Sequence, residues 1–141
     1  MGQITRHRTA CFSIRSQRYV EEDNFGYVTP PEINKNPMSS VVYQKIMSDI
    51  KNTYDNLIKM GIKKEDARMV LPNACETVIN MTMSFEGWLH YLRRRLAKNA
   101  QWEIRELAFI QYNELKKIAP LVFNKDTIMA IKVPNIDESF L

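Results

Sequence analysis

The chain has 141 residues, a net charge of +4, 45% hydrophobic residues and 26% charged residues, a composition suited to one soluble globular domain over residues 1–141. No apolar run approaches the roughly 20 residues needed to span a bilayer, and the basic start lacks the apolar stretch of a secretory leader. Cys11 and Cys75 are too few for a disulfide framework and sit in no metal-ligand cluster, so the expectation is a cytoplasmic protein with free thiols and no metal.

Residues 3–19 hold four arginines, Arg6, Arg8, Arg15 and Arg18, with His7, Ser13 and Ser16. Such a run stays out of an apolar core unless its charges are paired. The planar guanidinium fork suits phosphate and carboxylate, which points to an oxyanion site. The plainer alternative is a solvated surface or a nucleic-acid contact. Phe12 and Ile14 alternate, so residues 9–19 read as a short strand or extended segment. Residues 20–37 read as a loop, because Pro30, Pro31 and Pro37 oppose a regular helix or central strand.

Residues 38–60 form the clearest helical pattern. Tyr43, Ile46, Met47, Ile50, Tyr54, Leu57 and Ile58 recur at three and four. Asn36 or Ser39 fits its cap, Pro37 its first turn and Gly61 its left-handed end. Residues 63–70 predict a short helix ended by Pro72, and the β-branched run at 77–83 predicts a strand. Helices follow over 85–96, with the stripe Trp88, Leu89, Leu92 and Leu96, and over 99–118, with Ala100, Ile104, Leu107, Ala108, Leu115 and Ile118. The consecutive Arg93, Arg94 and Arg95 step about 100° each on a helix, so at most one or two reach a common site. Residues 127–133 read as a further strand.

Arg6-His7-Arg8, seven residues, then Ser16, continuing through Gln17-Arg18-Tyr19, together with Ala100-Gln101-Trp102-Glu103-Ile104 far downstream, resembles the RHR-x7-S signature and second block of the flavin-dependent thymidylate synthases (the ThyX family). The resemblance covers nearly all of Gln3 to Pro120. It implies a helix-dominated α+β fold, with long helices packed with a small sheet. In the family a substantial segment precedes the RHR block; here Met1 to Thr5 precede it, so the chain resembles the C-terminal part of such an enzyme. The implied reaction converts dUMP to dTMP using FAD, with NADPH and methylenetetrahydrofolate as co-substrates, in a homotetramer with interfacial sites.

By the same resemblance, Arg6, His7 and Arg8 contact FAD, and Ser84, His90 and Asn99 fall at flavin or nucleotide positions. Gln3, Ser16, Gln17, Arg18 and Arg68 hold dUMP. Arg68 lies in the recurring AR-x-x-LP block. Arg95 holds the pyrimidine and stabilises charge as the ring is activated, which makes it the catalytic residue. Two positions depart from the family pattern. Ile14 stands where an acidic residue is common, and Ser84-Phe85-Glu86 replaces Asn-x-Arg, with Glu86 reversing a charge beside an anionic cofactor.

Other readings follow from the same residues. One is a relative that alkylates another pyrimidine nucleotide. Another is an inactive or split fragment of such an enzyme, or a degenerate remnant that only oligomerises. A third is a basic nucleic-acid-binding module; no such motif is present and the aromatics sit on core-spaced faces, which favours no nucleic-acid partner.

Overall fold

Short polar caps and first-turn prolines set where most helices begin in the computed structural model, which describes residues 2–18, 25–130, 136 and 138–141. The elements run β1 (Ala10–Ile14), α1 (Pro31–Asn34), α2 (Pro37–Lys59), α3 (Lys64–Ala67), a 3-10 turn at Arg68–Val70, β2 (Ile79–Met83), α4 (Phe85–Arg95), α5 (Trp102–Ile118), α6 (Lys125–Met129) and a 3-10 turn at Glu138–Phe140. The fold is the expected helix-dominated α+β class, with β1 and β2 forming a two-stranded antiparallel sheet. The chain forms two compact units, Ser13–Asn80 and Met1–Phe12 with Met81–Leu141. Both strands run across that division, and each shows the half-buried, exposed alternation of a two-sided ribbon.

In the Ser13–Asn80 unit, α2 starts where Asn36 stands in extended backbone and accepts the amides of Met38 and Ser39 at 2.9 and 3.3 Å. Two N–H groups with no partner inside the helix are thereby satisfied. Gly61 follows the helix at φ 81°, the left-handed position a residue without Cβ adopts most cheaply. Met47 and Tyr54 are the buried anchors of α2, which packs against α1, α3 and the Arg68–Val70 turn. The strap at Tyr27 and Val28 is tied down from both sides. Tyr27 bridges to Cys75, Val28 donates its amide to Ala74, and Tyr43 of α2 donates its hydroxyl to the Val28 carbonyl at 2.8 Å.

The prolines act differently from the sequence expectation. Pro31 opens α1 and Pro37 opens α2, each at the first turn. A missing N–H costs nothing there, so part of the expected loop is a one-turn helix. Residues 20–24 of that loop, and residue 19 of the segment before it, lie outside the described residues. Ile46, placed on the core face by its spacing, is 48% exposed. With Met38, Val41 and Val42, also exposed, it forms an outward apolar strip on α2 at spacings of three and four.

In the other unit, Tyr91, Leu92 and Leu96 at the end of α4, Ala108 and Tyr112 of α5, and Phe123 and Ile128 are all nearly or fully buried. Burial of each large side chain contributes about 1.5–3 kcal/mol. α4 packs on both α5 and α6. Ser84 caps α4 by accepting the Gly87 amide, and Gln101 caps α5 by accepting the Ile104 amide, so α5 begins three residues later than its pattern suggested. Leu107 and Ile118, expected in the core stripe, point outward, Ile118 at 74% exposure. The strand expected from residue 127 is corrected: Lys125–Met129 is α6. Asn124 accepts both the amide and the hydroxyl of Thr127, which starts a helix in a β-branched stretch. Residues 131–135 lie outside the described residues. At the chain end, Phe140 packs on Phe109 with ring centroids 4.8 Å apart.

Candidate functional site

The three consecutive arginines of α4 part as helical geometry requires. Arg93 donates to the Ile128 and Thr127 carbonyls at 3.2 and 2.7 Å and serves structure. Arg94 is exposed. Arg95, in the last turn, reaches back to the turn at the N-terminal end. Its Nε donates to His7 Nε2 at 2.9 Å, its Nη1 to Gln3 Oε1 at 3.2 Å, and its Nη2 to the Gln3 carbonyl. Ile4, only 7% exposed, anchors this turn, and its carbonyl accepts the His7 amide. Gln3, His7 and Arg95, called separately from the sequence, thus form one cluster.

The donor count defines what this cluster offers. A guanidinium has five N–H groups and no acceptor. Three are used among the described residues, which leaves two for a ligand. The Gln3 amide must face Arg95 with its oxygen, which leaves its NH2 as a further donor. The available groups are therefore donors, complementary to ring carbonyls or a phosphate.

The surroundings are cationic and partly dry. The His7 pKa is pushed down to about 4, first by burial and then by the charges of Arg95, His90 and Arg94. The imidazole is uncharged at neutral pH and able to accept from Arg95. Burial lowers the Arg95 pKa, Tyr91 acts to raise it, and Arg6 and Arg94 lower it further. Arginine stays charged through such a shift. The Tyr91 ring meets His7 edge-on at 5.0 Å and Trp88 at 5.6 Å, and the His90 ring lies 6.1 Å from His7. The Tyr91 hydroxyl is buried with no hydrogen-bond partner among the described residues, and burial drives its pKa up.

A second cluster lies within the Ser13–Asn80 unit. Arg18 Nε pairs with the Glu65 carboxylate at 2.9 Å, and Arg68 Nε donates to the Glu65 carbonyl at 3.1 Å. One residue of α3 thus joins the two arginines assigned to the nucleotide. Ser16 Oγ accepts the Arg18 amide at 3.3 Å, which shapes the turn, and Gln17 Nε2 contacts Cys75 Sγ at 3.5 Å.

The other expected contacts are more open. Arg6, Arg8, His90 and Asn99 are exposed. Ser84 Oγ accepts the Gly87 amide, so its lone pair serves the helix while its O–H stays available. Glu86 lies exposed in the first turn of α4, where the helix dipole favours a carboxylate. Sequence reasoning missed Glu65 and Tyr91. Glu65 had a readable signal in its spacing three before Arg68 on a helical turn; Tyr91 had none, because its role depends on where the N-terminal turn packs. Among the described residues, no group of three or more His, Cys, Asp or Glu is placed to hold a metal, and no helix is long and apolar enough to cross a membrane.

The family described as Thymidylate synthase complementing protein (Thy1) matches residues 1–121. The chain is similar to a flavin-dependent thymidylate synthase of Clostridium tetani, 40% identical over 137 residues that cover 86% of this chain and 55% of the relative. It is similar to those of Geobacter sulfurreducens, at 39% identity covering 86% and 53%, and Pyrococcus furiosus, at 36% covering 85% and 52%. The chain spans about half the length of the curated relatives it matches. With the RHR block, the Arg68 block and the Gln101-Trp102 block all inside the matched residues, the chain belongs to the Thymidylate synthase complementing protein family, the flavin-dependent thymidylate synthases.

Proposed function

We propose that this chain carries the nucleotide-activating part of a flavin-dependent thymidylate synthase, which methylates dUMP reductively to dTMP with FAD, NADPH and methylenetetrahydrofolate. The observation that carries the reading is Arg95, held by Gln3 and His7 with two N–H groups to spare. A fixed cation of this kind binds a pyrimidine carbonyl and stabilises negative charge that develops on the ring. Because its orientation is set before the substrate arrives, little reorganisation is needed in the transition state. Gln3 adds its amide donors. Within the Ser13–Asn80 unit, Arg18 and Arg68, joined through Glu65, offer charge suited to a nucleotide phosphate, with Ser16 and Gln17 shaping that segment.

The residues fit a flavin dinucleotide. Arg6 and Arg8 are exposed guanidiniums suited to a pyrophosphate, and His90, Asn99 and the Ser84 hydroxyl supply further polar contacts. When bound, the flavin supplies the reducing chemistry, and the protein supplies binding, orientation and charge. By the resemblance Glu86 would stand beside the anionic cofactor and oppose its charge, so its replacement by Gln should tighten FAD binding. A homotetramer, with sites completed by neighbouring copies, accords with the outward apolar strip of α2 and with exposed Leu107, Ile110 and Ile118 on α5.

The test is flavin absorbance on purification, followed by dUMP-dependent oxidation of NADPH. Arg95→Ala should lower dTMP formation on the order of 10²–10³-fold, as loss of one preorganised donor does. Unchanged turnover in that variant, or a protein that ignores added FAD and dUMP, refutes the reading.

A further inference from the structure

We propose that His7 is a positioning residue for Arg95, accepting its Nε–H through a bare Nε2 and fixing the plane of the guanidinium, instead of binding the flavin through that nitrogen. The consequence for nucleotide binding rests on the proposed function; the hydrogen bond itself does not.

The sense of the bond is settled by chemistry. Arginine has donors only, so at 2.9 Å from Arg95 Nε the His7 Nε2 must be the acceptor. The ring then carries its proton on Nδ1. At 6% exposure the residue as a whole has little access to solvent. The edge contacts to Tyr91 and His90 hold the ring against rotation.

The geometry shows why Gln3 alone is not enough. Both of its bonds go to the terminal nitrogens Nη1 and Nη2. Two anchors define an axis about which a planar group can still pivot. The third bond, at Nε, lies off that axis and fixes the plane. The two unused N–H groups, one on each terminal nitrogen, are then held in fixed directions, as recognition of a flat pyrimidine requires. The middle residue of the Arg6-His7-Arg8 motif thereby acts on the substrate through Arg95, while its neighbours Arg6 and Arg8 are exposed.

Two measurements on the full chain test this. In 15N spectra of the histidine rings, His7 should show an unprotonated, hydrogen-bonded Nε2 and a protonated Nδ1, and Arg95→Ala should move the Nε2 signal. A protonated Nε2, or a signal indifferent to Arg95→Ala, overturns the proposal without any ligand. For dUMP binding by calorimetry, His7→Phe should weaken affinity about tenfold or more, the size of a lost hydrogen bond to a charged group. His7→Gln, whose amide oxygen can accept at the same place, should restore most of it. In an Arg95→Ala background His7→Phe should cost nothing further. An equal loss in both backgrounds, or a His7→Gln as weak as His7→Phe, shows that His7 acts independently of Arg95. Wild-type protein with the expected ring spectrum but no dUMP affinity would refute the functional reading and leave the positioning role intact.

Discussion

Acidification from pH 7 to 5 should destabilise the unit that holds His7, and the size follows from the buried ring. In the unfolded chain the imidazole titrates near its ordinary value of 6.5, whereas in the fold burial, followed by interaction with Arg95, His90 and Arg94, pushes it down to about 4. Between those values the unfolded state binds more protons than the folded state, so stability falls as pH falls. At pH 5 an unfolded imidazole is about 97% protonated and the folded one about 10%, and integrating from pH 7 gives a loss of about 2 kcal/mol, reaching about 3 kcal/mol below pH 4. Carboxylates titrate in the lower part of this range, so the comparison must be with His7→Gln, which lacks the titrating ring. Urea unfolding followed by the fluorescence of Trp88 and Trp102 is a suitable assay, because both lie in this unit and Trp88 packs on Tyr91, which packs on His7. The two stability curves should run parallel above pH 7 and converge by about 2 kcal/mol at pH 5. Parallel curves down to pH 4 would show that His7 is not held uncharged by its surroundings.

Three further outcomes are expected from denaturation measurements. Asn36→Ala removes the side chain that accepts the Met38 and Ser39 amides and should cost about 1 kcal/mol, with helicity lost from the start of α2. Tyr112→Phe deletes a buried hydroxyl with no partner among the described residues, so stability should hold or rise, by up to about 1 kcal/mol; a clear loss would reveal a partner for that hydroxyl. Gly87→Val should destabilise by about 1–3 kcal/mol through overpacking, because even a Cβ at Gly87 would lie 3.2 Å from Met83 Cβ and 3.4 Å from Thr9 Oγ1; an unchanged midpoint would mean that this contact yields freely.

The helices were legible because their signals are local. Asn36, Pro37, the periodic apolar residues and Gly61 lie within one stretch of chain, and together they bound α2 nearly to the residue. Where local signals conflict, the reading failed. The prolines near residue 31 read as loop yet opened a helical turn, and the β-branched residues after Asn124 read as strand yet followed a strong cap. Periodicity also cannot say which apolar residues face inward: Ile46 and Ile118 match the pattern and point out. Their side chains are as apolar as those of Met47 and Ile104, and only the neighbouring elements separate them.

The candidate site divides in the same way. Residue identity determined its chemistry: guanidiniums near the start, at Arg68 and at Arg95, spaced as in the flavin-dependent thymidylate synthases, together with an ordinary set of helices to carry them. Only the tertiary structure decided which arginine of the run at 93–95 serves structure and which turns to the site, that Glu65 joins Arg18 to Arg68, and that His7 accepts from Arg95 across 88 positions of sequence. Hydrogen bonds reach about 3 Å and are blind to separation along the chain, so partners this far apart become visible only when packing has brought them together.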